Sequence, residues 1–274
     1  MCDRDHLVIA RERQYGRFEP VTTGELIRNG VDINNKMGAG TTMKVLITGA
    51  SRGIGLEMVK KFAEQGHDVI AAVRNPATAD KLAGLKTAHG NKITILELDA
   101  ADESSVRAAA GQVKASFGHV DILINNAAIA IGRKDGVESA ELEDYEATFQ
   151  TNVFGPVRVC KHFVPLLRES DRAMILNMSS ASGIIQDVRS PDYSYGMSKA
   201  ALNMFTGKLR HELADSGITV YAIHPGWVRT DQGGPEAPLD VSEPAQQIYE
   251  LASALRKPDH NGFFIHADGS SLPF

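Results

Sequence analysis

The chain has 274 residues, 43% apolar and 23% charged, with a net charge of −5, which is room for one large α/β domain or two small ones. The acidic balance gives no attraction for nucleic acid or an anionic membrane surface, and no apolar run approaches the ~20 residues that span a bilayer. Cys2 and Cys160 are the only cysteines, too few for a disulfide framework or a metal site, and they point to a reducing cytoplasm.

Residues 1–42 read differently from the rest of the chain. They mix charges (Asp3, Arg4, Asp5, Arg11, Glu12, Arg13) with a glycine-rich end, Met37-Gly38-Ala39-Gly40. They show neither the apolar core nor the cleavage pattern of a secretory signal, and their acids argue against a transit peptide. They are predicted to form an extension, flexible or partly helical around Leu26-Ile27, and either dispensable or a product of start-site choice. A start at Met43 would open directly on the first strand.

From Lys44 onward, short continuous apolar runs read as buried parallel strands. They are Val45–Ile47, Val69–Val73, Ile93–Leu96, Ile122–Ile124, Met174–Leu176, Val220–Ile223 and Phe263–Ile265. Between them, helices are predicted over Ile54–Gln65, Thr78–Ala88, Glu103–Phe117, Leu142–Leu167, Ser198–Ala214 and Glu243–Leu255. The first has apolar side chains at Ile54, Met58, Val59 and Phe62 and stops at Gly66. Strand-helix alternation implies right-handed crossovers onto a doubly wound sheet. No linker or repeat interrupts it, so 43–274 is predicted to be a single dinucleotide-binding α/β domain, a Rossmann-like three-layer sandwich with seven parallel strands in the order 3-2-1-4-5-6-7.

In such a sheet the ligand lies beyond the carboxyl ends of the strands, at the switch point. The turn Thr48-Gly49-Ala50-Ser51-Arg52-Gly53-Ile54-Gly55 falls there, between the first strand and the first helix. Gly49 allows the tight turn, and Gly53 and Gly55 let a dinucleotide and the helix come close. The helix N-terminus then offers free N–H groups to a pyrophosphate. The spacing is G-x-x-x-G-x-G rather than the usual G-x-G-x-x-G. The second strand ends Ala72-Val73-Arg74-Asn75, without the carboxylate that would receive an NAD ribose. Arg74, helped by Arg52, would instead pair with a 2′-phosphate, which favours NADP(H).

Tyr195 and Lys199 stand four apart in Tyr195-Gly196-Met197-Ser198-Lys199, so on a helix they share a face. A phenol beside a cation suits a proton donor. Together with the glycine turn, and with Asn152 and Ser180 between, they describe an enzyme that moves hydride between a nicotinamide and a carbonyl. Tyr193 has no lysine at the same spacing and reads as a mouth or surface residue.

Over Met43 to Phe274 the chain resembles the short-chain dehydrogenase/reductase family. Thr48–Gly55, with Ser51 and Ile54 inside it, is similar to that family's cofactor turn. Asp99, with Ala100 beside it, resembles the acid that meets the adenine. Asn125-Asn126-Ala127-Ala128 resembles the element after the fourth strand, with Ala128 where the pattern has glycine. Asn152 matches the helix asparagine, Asn177-Met178-Ser179-Ser180 the serine element, and Pro225-Gly226-Trp227-Val228-Arg229-Thr230 the segment that covers the nicotinamide. The Gly-Trp-Val-Arg-Thr-Asp run and the ending Asp268–Phe274 resemble the C-factor and sniffer-type carbonyl reductases.

The resemblance implies that Tyr195 is the general acid and that Lys199 holds the nicotinamide ribose. Charged and close, Lys199 is also expected to lower the Tyr195 pKa. Ser180 would hold the carbonyl oxygen, and Asn152 a water relaying protons to Lys199. The gap from Ser180 to Tyr195 is slightly long for the family, which leaves a choice between Ser179 and Ser180. No metal is required, and His211, His224, His266 and Cys160 read as structural. A reductase of aldehydes or ketones is one function class. A dinucleotide-binding regulator with little turnover is the other. The loops 129–141, 181–194 and 231–244 hold few charges, so a small, rather apolar carbonyl is the expected substrate. The helices near 142–167 and 198–214 form the usual dimer face in this family, while related reductases include monomers; a homodimer or homotetramer is one expectation.

Overall fold

The computed structural model describes residues 42–133, 136–188, 191–258 and 262–273. All of the expected extension except Thr42 lies outside the described residues. The strands are β1 (Lys44–Thr48), β2 (Asp68–Val73), β3 (Ile93–Glu97), β4 (Ile122–Asn125), β5 (Met174–Met178), β6 (Thr219–His224) and β7 (Phe264–His266). The helices are α1 (Gly53–Glu64), α2 (Asp80–His89), α3 (Glu103–Phe117), α4 (Leu142–Asn152), α5 (Phe154–Leu167), α6 (Tyr193–Glu212) and α7 (Ser242–Ala252).

The seven strands form one sheet in the order β3-β2-β1-β4-β5-β6-β7, and every ladder is parallel. Both faces are covered, which is why the strands read as unbroken apolar runs. Val45 and Ile47 of β1 join the core built on Met58, Val59 and Phe62 of α1 and Ile248 and Leu251 of α7. Leu46 between them points the other way, into the core of Val106 and Val113 of α3, Phe163 of α5 and Leu209 of α6. The chain reverses direction across the sheet between β1 and β4, so a crevice opens beyond their carboxyl ends.

Two helices depart from expectation. The single helix predicted over Leu142–Leu167 is broken at Val153, which has φ −113° and ψ −64°. Pro156 explains the break. It has no N–H for the carbonyl of Asn152, and it is tolerated in the first turn of the new helix α5. The helix predicted from Ser198 begins at Tyr193 instead, directly after Pro191-Asp192. Tyr195 therefore sits in the first turn of α6, with Lys199 one turn further on the same face.

Candidate active site

The glycine turn is held by the strand beside it. Asn126 at the end of β4 donates from Nδ2 to the carbonyls of Thr48 and Gly49, at 3.0 and 3.1 Å. Thr48 Oγ1 returns the contact by accepting from the amides of Asn126 and Ala127, at 3.0 and 3.1 Å. Gly49 has φ +66°, and a Cβ there would press on the Ala127 backbone. At Gly55 a Cβ would overlap the Gly49 carbonyl and stand 2.5 Å from Asn126 Nδ2. Glycine at position 55 thus lets the helix come close to the turn. Gly53 has φ +56°. It opens α1, and no side chain caps that helix's first turn. The orphan N–H groups of a helix start make an anion site.

These amides face a cavity of about 460 Å³. Gly49, Ser51, Arg52, Gly53, Ile54 and Gly55 form its floor. Arg74 from the end of β2, and Asp99 and Ala100 from the end of β3, form one lip. Asn126, Ala127 and Ala128 from β4 and Thr230 from the segment after β6 form the other. Arg74 is exposed. Arg52 pairs with Asp231 at 3.1 Å, both side chains being mostly solvated. The Asp99 carboxylate accepts from the amide of Ala101 at 2.9 Å, which fixes its turn. Val73, at the ribose-selecting position, lines the cavity too, as do Leu98 and Gln232, which were not singled out from sequence. The group fits an extended dinucleotide: backbone amides for the pyrophosphate, and cations at the ribose end.

A second recess of about 150 Å³ continues from the first and shares Ile54, Asn126 and Thr230 with it. Ser180, Tyr195 and Lys199 line it, under Pro225, Gly226 and Val228. Tyr195 is buried while Tyr193 is 40% exposed at the start of α6. Ser180 lines this recess beside Tyr195, and its hydroxyl is among the influences that favour the phenolate. Ser179 is buried, and its hydroxyl donates to Asn203 Oδ1 at 2.6 Å. Both serines line the recess, but the Ser179 hydroxyl is bound to Asn203 while Ser180 caps the turn that follows.

Lys199 Nζ donates to the Met178 carbonyl at 2.7 Å and lies 5.4 Å from the centroid of the Tyr195 ring. Burial brings this lysine down from 10.5 to about 7. Burial also pushes the Tyr195 phenol above its ordinary range. The hydrogen bonds of Ser180 and Gln232 and the charge of Arg133 oppose that rise, and Asp192 adds to it. The expectation that Lys199 lowers this phenol is therefore corrected. The ammonium is turned to a carbonyl, and desolvation dominates.

Asn152 lies behind the recess rather than in it, fully buried at the helix break. Its side chain bonds both polar groups of the Ile129 backbone, accepting at 2.9 Å and donating at 2.8 Å. It also donates to Ser198 Oγ at 3.1 Å, and Ser198 donates to the Tyr195 carbonyl at 2.7 Å. The side-chain amide is committed to positioning the loop after β4 and the start of α6. The carbonyl of Asn152 is the group left over, since Pro156 has no N–H to give it.

One charge missed in the sequence stands at the recess. Arg133, in the loop after β4, has its guanidinium 5.1 Å from the Tyr195 ring centroid. It reaches Asp192 Oδ2 at 3.4 Å and donates to the Gln232 carbonyl at 3.3 Å. No local pattern marks an arginine in a polar loop as anything but surface.

Other residues settle as structural. Cys160 is buried with its thiol pushed up to about 12. His224 accepts from the Ala181 amide at 3.3 Å and stacks near His266, and burial takes its ring down to about 4. Trp227 is largely exposed and donates from its indole to the Gly233 carbonyl at 2.8 Å, which pins the loop after β6. Among the described residues no helix is long and apolar enough to cross a membrane.

The family model described as short chain dehydrogenase matches residues 43–238. An uncharacterized oxidoreductase of Schizosaccharomyces pombe is 35% identical over 85% of this chain and 99% of its own length. The C-signal protein of Myxococcus xanthus is 34% identical over 57% of this chain and 94% of its own. Among solved structures, the NADPH-bound carbonyl reductase from chicken fatty liver superposes with a TM-score of 0.77 at 31% identity, over 85% of this chain and 99% of that one. The carbonyl reductase Sniffer of D. melanogaster gives 0.78 at 31%, over 85% and 100%.

Proposed function

The chain belongs to the short-chain dehydrogenase family and is an oxidoreductase of that family, and from that premise we propose that it moves hydride between NADP(H) and a small, mostly apolar aldehyde or ketone, or the matching alcohol, with Tyr195 as proton donor. One observation carries this: buried Tyr195 lines a recess with Ser180 and Lys199, and that recess continues from a cavity of dinucleotide size.

The cofactor supplies the hydride from its nicotinamide. The residues of this chain do the rest. The amides at the start of α1 would hold the pyrophosphate, and Arg74 would take the 2′-phosphate. In the reducing direction the carbonyl oxygen gains charge and takes its proton from Tyr195. A raised phenol keeps that proton in place at neutral pH. Ser180 Oγ positions the carbonyl oxygen. Lys199 would hold the nicotinamide ribose, with its charge near the phenolate that forms. Asn152 offers its free carbonyl to the water that returns the proton. Trp227 is exposed at the edge of the recess, and Asp192 balances the Arg133 charge. Both features suit an uncharged, apolar carbonyl.

Phe154 and Met197 are exposed and share a groove with Tyr145 and Phe149 on α4–α6. This face is proposed for a homodimer or homotetramer.

The test is NADPH consumption against a panel of aldehydes and ketones. Turnover of at least one, lost in Tyr195→Phe, is the expected result. Tight NADPH binding with no turnover of any would favour the second reading, a dinucleotide-binding signalling protein, for which the similarity to C-signal speaks.

A further inference from the structure

Charged groups face Tyr195 from three places. Lys199 comes from the next turn of α6, Arg133 from the loop after β4, and Asp192 from the N-cap of α6. Ser180 and Gln232 face it as uncharged hydrogen-bonding partners. His224, at the end of β6, stands behind the turn that carries Ser180.

The arginine and the aspartate are unequal partners. The Asp192 side chain is 6% exposed, and the Arg133 side chain 38%. A buried carboxylate needs compensation. Asp192 gets it from Ser182 Oγ at 3.0 Å and from the guanidinium at 3.4 Å. The second contact is long for an ion pair whose only purpose is to neutralise. The guanidinium is drawn off toward the Tyr195 ring and the Gln232 carbonyl, within the ~6 Å at which a cation and an aromatic ring attract. One side chain thus touches three segments around the phenol, those carrying Asp192, Tyr195 and Gln232.

We propose that Arg133 and its partner Asp192 are an opposed charge pair beside the Tyr195 ring, the guanidinium favouring the phenolate and the carboxylate opposing it, so that their balance tunes proton transfer at Tyr195. Both are positioning residues. The inference rests on the reading of Tyr195 as the proton donor. It also goes beyond the tyrosine-lysine pair, because it gives the phenol a second cation that is adjustable through its own counterion.

A purely structural ion pair and a charge device predict different signs. Arg133→Met and Asp192→Asn break the same contact, so a structural role moves both variants the same way. An electrostatic role moves them in opposite directions. The experiment is an ultraviolet difference titration of tyrosinate, each protein minus its own Tyr195→Phe counterpart, which needs neither substrate nor cofactor. Removing the cation is expected to raise the Tyr195 midpoint, by roughly one pH unit for a charge this near the ring, and removing the anion to lower it. Arg133→Lys, which keeps the charge, is expected to return the midpoint close to that of the unmodified protein and guards against a folding defect in the methionine variant. The pH profile of alcohol oxidation is expected to follow the same order. Midpoints of Arg133→Met and Asp192→Asn that shift together, or that do not move, overturn the proposal. If Tyr195→Phe keeps full turnover, the proton-donor reading falls instead, and the titration reports that separately.

Discussion

The ammonium of Lys199 donates to the carbonyl of Met178 at 2.7 Å and not to the phenol of Tyr195. Burial has brought the group to about 7, against 10.5 for the ordinary lysine of the unfolded chain. Between those values the unfolded chain binds more protons than the folded one. Stability must then rise with pH across that window, by up to ~1.4 kcal/mol per pH unit from this group. Below the window the full cost of burying the charge is present. Lys199→Met is expected to flatten the slope. Melting temperatures of the two proteins, taken from neutral pH upward, check it, and parallel curves would refute it.

Tyr195 and Tyr193 differ by one strand-like step in sequence and by everything in place. The first is buried beside Ser180 and Lys199, the second solvated. Tyr195→Phe removes only a hydroxyl, so fold and NADPH affinity are expected to survive while kcat falls by ~10²–10⁴. Tyr193→Phe is expected to change kcat by only about two- to three-fold. Steady-state kinetics of both variants on one active carbonyl decide the assignment. A dead Tyr193→Phe beside an active Tyr195→Phe would reverse it.

The strands were legible because sheet burial on both faces writes itself as continuous apolar residues. Leu46 and Ile47 face opposite cores, and both must be greasy. The glycine turn and the Tyr195–Lys199 spacing were legible because each depends on neighbours in sequence. The break at Val153 was not, although its cause, Pro156, is visible. A proline in the first turn of a second helix looks the same as one inside a single helix until the chain's path is known. Arg133 and Asp192 were invisible for another reason. They belong to loops after different strands, 59 positions apart, and only the parallel sheet brings them to one phenol.

Arg74 stands exposed at the lip of the larger cavity. If it pairs with a 2′-phosphate, one charge-assisted contact contributes ~1.5–3 kcal/mol, so NADPH is expected to bind about 10- to 100-fold more tightly than NADH. Arg74→Asp should erase or invert that preference. Arg52 is already engaged with Asp231 in a solvated pair, of a kind worth at most ~1 kcal/mol. Asp231→Asn is therefore expected to strengthen NADPH binding slightly by freeing Arg52. Dissociation constants for both cofactors test all three statements. Equal affinities in the unmodified protein would remove the basis for them.

Glycine to alanine at two helical positions is expected to act with opposite signs. Gly84 lies inside α2, and a Cβ there meets nothing within 4 Å. Alanine should stabilise by roughly 0.5–1 kcal/mol, because the unfolded chain loses freedom and the folded one loses nothing. Gly55 lies in the first turn of α1, where the same methyl overlaps the Gly49 carbonyl and crowds Asn126 Nδ2. That pair is the tie between the glycine turn and β4. Relieving the overlap must either lift α1 off the turn or break the Asn126 bonds. The cost is ~1–3 kcal/mol, as for other overpacked sites, or roughly 2–4 °C of melting temperature for each kcal/mol in a protein of this size. NADPH affinity should fall with it, because the amides that face the pyrophosphate move. Gly84→Ala should leave affinity unchanged. A Gly55→Ala protein with unaltered melting temperature and NADPH affinity would show that the turn tolerates the methyl, and that the close approach of Gly55 to Gly49 is not what holds the cofactor cradle in shape.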